Sequence, residues 1–382
     1  MRLLHLFGDY KWTGPAEPTV NLCLRLREMG HDVRLACCPA PDPRLRFLET
    51  KAREAGLDPI TDFNLNPGLR VDAFMAAVRG VSSYIRSEGI DICHVHQGRD
   101  HLVGGLAARQ SHTAVRVVRS NHRAEPLADG WRSGLLLRGF TDGLIEISQK
   151  AAERDRKASG LSPEVVGNVD GVVDVERFGP DREFSDVRPR FGLEPGHVVV
   201  GIVARLQRHR RFELFLQAMK IASDTMPALR ALVVGRGTYM KEVGVEPARR
   251  MGLGDTVTFA GYVDRDFEAT VAMFDMKVYL VPGSDGSCRA VLETMALGKP
   301  VIAARRGILP EIIEDGRTGL LVDDDPKALA DAILRLAGHP AERRRMGLAA
   351  RAEAVRRFTA DVQAERVARV YRNVCPEAGG SP

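Results

Sequence analysis

The chain has 382 residues, with 44% hydrophobic, 27% charged and a formal net charge of +5. That length suits two domains better than one core, and the composition is that of a globular protein. No run of 18 apolar residues is present, which excludes a membrane-spanning helix, and the absence of an aromatic-basic motif argues against nucleic-acid binding.

The opening MRLLHLFGDYKW has neither the apolar core nor the cleavage site of a secretion signal. Cys23, Cys37, Cys38, Cys93, Cys288 and Cys375 form no CxxC pair and no zinc spacing. Reduced, buried thiols and a cytoplasmic location are therefore expected. The basic residues are mainly Arg, which suits bidentate phosphate contacts and is compatible with an anionic membrane surface.

Leu3 to Phe7 reads as a first strand. Thr13-Gly14-Pro15 then leads into a helix over Val20 to Met29, with Val20, Cys23 and Leu24 on one face and Gly30 as its stop. Asp32 to Cys38, Ile90 to His96, Val115 to Arg119 and Leu144 to Ser148 continue an alternation of strands and helices, which implies a doubly wound α/β sheet. His94 and His96 share one strand face and read as a strand-end pair, because no further ligands stand at metal spacing. His122 follows the strand ending in Arg119. Trp131 to Arg138 is a basic and apolar patch, readable as a lipid contact or as a helix packed on its own domain.

Gly171 to Asp174 leads to a Pro-, Gly- and charge-rich linker, Arg177 to Gly192. The pattern then restarts with strands at Val198 to Val203, Arg230 to Val234, Thr256 to Ala260, Lys277 to Val281 and Val301 to Ala304. Arg205 ends the first of these, and Arg208-His209-Arg210-Arg211 follow with no acid beside them in sequence. Their mutual repulsion argues for an anionic partner. Gly235 and Gly237 end the next strand, where glycine lets backbone approach a ligand. The spacing fails as a dinucleotide fingerprint, since no third glycine follows. Gly261-Tyr262-Val263 comes after the third strand. From Val281 to Val322 an apolar strand, a Gly/Ser loop, a short helix and a second apolar strand carry Asp285 and Glu293 on either side of a helix N-terminus. Carboxylates beside such an anion site suit a ligand that is both polyol and anion.

This last stretch resembles the donor site of the retaining GT-B glycosyltransferases of family 4, the group 1 glycosyltransferases. Their signature is a Glu, seven residues and a second Glu, followed by a small-Gly-x-Pro-Val run. Asp285 stands at the first acid and Glu293 at the second, and Ser287 and Cys288 replace the usual bulky apolar residue and Gly. The family's Arg-Leu step matches Arg205, while its Lys-Gly step falls on Arg210 and Arg211. Gly14, the His-x-His strand and His122 match N-terminal elements of the family.

The resemblance implies two Rossmann-like domains: 1–180 for the acceptor, a linker at 181–194, and 195–358 for the donor, with 359–382 packing back on the first. It implies retaining transfer from a UDP-, GDP- or ADP-sugar to a glycan or lipid-linked acceptor in lipopolysaccharide, capsule or glycolipid synthesis, without a metal or cofactor, and with peripheral membrane contact. It implies catalytic roles for His122, Arg205, Arg210, Asp285 and Glu293. Donor contacts would come from Gly14, Arg205, Arg210, Arg211, Gly235, Gly237, Tyr262, Val263, Asp285, Gly286, Ser287, Cys288, Arg289 and Glu293. The alternatives are a nucleotide-sugar-binding protein of the same fold without transfer activity, and a sugar-nucleotide epimerase.

Overall fold

The computed structural model describes residues 1–12, 14–40, 42, 47–65, 70–282 and 287–376. Twelve strands form among them: β1 (Arg2–Phe7), β2 (Asp32–Cys37), β3 (Ile92–Val95), β4 (Arg116–Asn121), β5 (Gly143–Glu146), β6 (Val166–Asn168), β7 (Val198–Val203), β8 (Leu229–Val234), β9 (Val257–Gly261), β10 (Met276–Tyr279), β11 (Val301–Ala304) and β12 (Gly319–Val322). They make two all-parallel sheets, ordered β2-β1-β3-β4-β5-β6 and β12-β11-β10-β7-β8-β9. The central strands β3, β5, β10 and β11 are buried along their whole length, as expected of parallel sheets covered by helices on both faces.

The chain divides into two compact units. The first holds Met1–Asp170 and Ala360–Pro382, and the second holds Gly171–Gly283 and Cys288–Thr359. Residues 181–194 group with the second unit, where Val187, Phe191 and Leu193 are buried.

The first helix runs Ala16–Glu28, starting four residues before the expected Val20. Pro18 lies in its first turn, where a missing N–H leaves no intrahelical bond unmade. β6 and β12 are strands that the sequence pattern does not announce. Each is short, each sits at a sheet edge, and β6 is only half-buried.

The last helix, Ala360–Val374, buries Ala364, Val367, Ala368, Val370, Tyr371 and Val374 in the first unit. Two glycines admit it. A Cβ on Gly143 would lie 2.7 Å from Val374, and one on Gly167 would lie 2.7 Å from Val370. Arg366 holds Asp170 at 2.6 Å from the same helix. No described helix is long and apolar enough to cross a membrane.

Candidate active site

In the second sheet, the loops at the carboxyl ends of β7, β8, β9 and β10 are tied to one another. Gly235 adopts φ 140°, and a Cβ there would meet the Ala204 carbonyl oxygen at 2.0 Å. A Cβ on Gly237 would meet the Leu206 carbonyl oxygen at 2.2 Å. Only glycine permits this approach. The Gly235 amide donates to the Gly261 carbonyl at 2.8 Å, which fixes the turn carrying Tyr262 and Val263. Val263 is buried, whereas Tyr262 is 63% exposed with the Arg236 guanidinium over its ring.

The basic loop departs from its expected role. Arg208 makes a two-pronged pair with Glu242 at 2.9 and 3.1 Å, and Arg211 reaches Asp324 at 3.5 Å. Arg210 donates to the Val281 and Pro282 carbonyls at 2.8 and 3.1 Å, bracing the loop after β10. The acids that pair with Arg208 and Arg211 are thus supplied by distant parts of the chain, and cation repulsion alone no longer argues for an anion. Arg205 differs. It is exposed at the end of β7, and no described residue pairs with its guanidinium.

Two residues stand where the family resemblance expects glycine, and both keep the glycine conformation. Arg211 has φ 61° and Cys288 has φ 49°. An L-residue held there costs about 1–2 kcal/mol. Cys288 is the N-cap of the helix Arg289–Ala296, and its side chain makes no cap hydrogen bond to the first turn, whose N–H groups carry the positive end of the helix dipole. Glu293 lies on this helix and is buried among Val291, Leu292 and Met295. Ser287 and Arg289 are half-buried beside the cap. Asp285 and Gly286 lie outside the described residues.

Lys277 of β10 escaped the sequence reading. Its side chain is fully buried and donates to the Ala290 carbonyl of the Glu293 helix. Burial pushes its ammonium down to about 7, and attraction to Glu293 opposes that shift. In sequence it looks like a solvated strand start.

In the first unit, Gly14 has φ 47° just before the first helix. The β1–β3 register places His5 beside His94, so the strand-end pair becomes a buried trio of His5, His94 and His96. His5 sits inside an apolar strand, and only the register reveals it. Ligand atoms of the three rings lie within 4.8 Å of one another, which supplies the third metal donor that sequence spacing lacks. Every nitrogen of the three is nevertheless already engaged: His5 with His96 and Tyr371, His94 with Tyr371 and Ser120, and His96 with Thr19 and His122. Burial lowers His5 and His122 to about 3, and lowers His94 and His96 well below the ordinary range. Arg119, itself buried and pushed down to about 10, adds to the effect on His94, His96 and His122.

Comparison with known proteins agrees with this layout. Residues 14–177 match the family described as Glycosyltransferase Family 4, and residues 197–339 match Glycosyl transferases group 1. The chain is 31% identical over 268 residues to a GDP-mannose-dependent alpha-(1-6)-phosphatidylinositol monomannoside mannosyltransferase of Mycolicibacterium smegmatis, covering 65% of this chain and 68% of the relative. It is 29% identical over 321 residues to a D-inositol 3-phosphate glycosyltransferase of Streptomyces bingchenggensis, covering 78% and 70%. The fold matches that of HepE from Anabaena, solved with UDP, with TM-score 0.80, 20% identity and coverage of 98% and 100%. The matches span both units, and the chain belongs to the family 4, or group 1, glycosyltransferases of the GT-B fold.

Proposed function

We propose that this glycosyltransferase uses a nucleoside-diphosphate sugar bound at the carboxyl edge of the second sheet, and transfers the sugar to an acceptor hydroxyl with retention of configuration. The observation that carries the reading is the knot of loops after β7, β8, β9 and β10. It gathers Arg205, whose guanidinium pairs with no described residue, a close-approach glycine pair, an exposed turn at Tyr262 and a helix N-terminus to which the Cys288 side chain gives no cap. Charge developing on the departing diphosphate would meet Arg205 and that helix end. Glu293 would accept hydrogen bonds from the ribose and Asp285 from the transferred sugar, while the backbone at Gly261 to Val263 lies along the base. Arg210 and Arg211 then act through loop geometry. His122 would approach the donor sugar, with Gly14 beside the diphosphate.

The relatives' names support a phosphorylated polyol or its lipid conjugate as acceptor, within cell-envelope glycan or glycolipid synthesis. Contact with a membrane face would use the helix Trp131–Phe140, where Trp131 and Leu135 are 72% and 55% exposed beside Arg132 and Arg138.

A thermal-shift panel with UDP, GDP, ADP, CMP and their sugar conjugates tests the donor assignment. Ligand at a hundred times its Kd stabilises by about 2.7 kcal/mol, which reads as several degrees. Glu293→Ala and Arg205→Ala should each abolish that shift and lower transfer by orders of magnitude in a folded protein. A shift that survives both substitutions would overturn the site.

A further inference from the structure

The buried histidines of the first unit form one unbroken line of hydrogen bonds. Ser120 Oγ meets His94 Nε2 at 2.7 Å, and His94 Nδ1 meets the Tyr371 hydroxyl at 2.5 Å. That hydroxyl lies 3.4 Å from His5 Nε2, and His5 Nδ1 lies 3.0 Å from His96 Nε2. His96 Nδ1 ends the line 3.0 Å from His122 Nε2. The rings of His94 and His96, and of His96 and His122, are stacked, so the order of contacts follows from packing.

Each neutral member carries one proton that can enter the line, and each link needs one. Three arrangements satisfy every link, because the Tyr371 hydroxyl can accept from His94 and His5 at once. In one, all groups donate toward His122, leaving its Nδ1 protonated; in the other two, the links through His5 and His96 donate away from it, leaving its Nδ1 bare. Thr19 breaks the tie. Its hydroxyl donates to the Pro15 carbonyl at 2.8 Å, so toward His96 Nδ1, 3.4 Å away, its oxygen can only accept. His96 Nδ1 must then carry the proton, and every link donates toward His122.

We propose that Thr19, acting through this chain, fixes His122 as the Nδ1–H tautomer, so that the ring meets its ligand as a hydrogen-bond donor. Thr19 and Tyr371 are positioning residues, the second carrying the line into the last helix. The proposal rests on the reading of His122 as a donor-site residue. The neutrality it needs is supplied by burial, which holds all four rings below their ordinary range. The charged groups around the line are Arg119, which disfavours further positive charge, and Asp100, whose carboxylate accepts from the His96 and Gln97 amides and bonds to no ring.

The test is long-range 1H–15N spectroscopy of histidine-labelled full-length protein at neutral pH, which reads the protonation of each ring nitrogen. The expected result is His122 with Nδ1 protonated and Nε2 bare. Thr19→Val keeps the shape but removes the acceptor, and should give a second His122 population with Nε2 protonated, while Thr19→Ser restores one tautomer. Should Thr19→Val fail to fold, Tyr371→Phe serves instead. It cuts the line and should shift the ring signals of both His5 and His94. A wild-type His122 protonated on Nε2, or His122 signals untouched by Thr19→Val, would overturn the proposal. UDP-glucose and GDP-mannose are then added to the wild type. Movement of the His122 Nδ1–H signal supports its place in the site. The expected tautomer with no movement for either sugar nucleotide would uphold the chain and overturn the site role.

Discussion

Mild acid should unfold the first unit. His5, His94, His96, His101 and His122 all titrate below the ordinary imidazole range, with burial the first cause in each. For His5, His101 and His122 the folded value is about 3, against 6.5 for a free ring. A lowered folded value means that the unfolded chain binds more protons between those limits. The stability is therefore present above pH 6.5 and is lost as pH falls toward 3. At pH 5 each ring removes about 2 kcal/mol, since one pKa unit is about 1.36 kcal/mol, and five rings remove on the order of 10.

Two carboxyls oppose them. Burial raises Glu146, helped by the neighbouring Asp155, and burial raises Asp100. Each can return up to about 3 kcal/mol between pH 7 and 5. The net loss is several kcal/mol against a domain total of about 5–15. Both tryptophans, Trp12 and Trp131, lie in this unit, so urea unfolding followed by tryptophan fluorescence reports it selectively. The midpoint should fall steeply from pH 7 to 5. His101→Gln, which keeps an amide within reach of Thr141 (3.0 Å from the native ring), should reduce the fall by about one proton's share. A midpoint constant across that range would refute the reasoning.

The second unit should behave differently. Burial lowers Lys277 to about 7, so between pH 7 and 9 the unfolded chain holds the extra proton and stability rises with pH by about 1 kcal/mol per unit. Lys299, lowered by burial in the same unit, adds to the rise, and calorimetry of Lys277→Met should show a shallower slope. Gly235→Ala should cost about 3 kcal/mol or more, from a strained φ and a clash with the Ala204 carbonyl, and should abolish donor binding. An unchanged melting temperature would contradict that contact. Because Cys288 holds φ 49°, Cys288→Gly should be more stable than Cys288→Ala by about 1 kcal/mol in paired melts, and the reverse order would count against the left-handed cap.

Period and punctuation in the sequence determined most of the architecture. Apolar runs of strand length, helices between them and Gly stops declare two parallel α/β sheets. The close-approach glycines Gly235 and Gly237 were legible because they follow the end of a strand, whereas Cys288 and Glu293 were singled out by the family signature. β6 and β12 were not legible: β6 has only three residues, and β12 follows a turn as a short GLLV run whose pairing on the sheet edge is set by the fold. Three things belonged to tertiary structure alone. Partners for Arg208 and Arg211 come from Glu242 and Asp324, far along the chain, so part of an apparent cation run is paired, with Asp324 shared with Arg306. Lys277 is a buried cation beneath Glu293 because β10 is covered on both faces, which no alternation pattern reveals. His5 and Tyr371 join His94, His96 and His122 only through strand register and the docking of the last helix. The spacing of residues in sequence sets which face a side chain takes, but which side chains meet is set by pairing between distant segments.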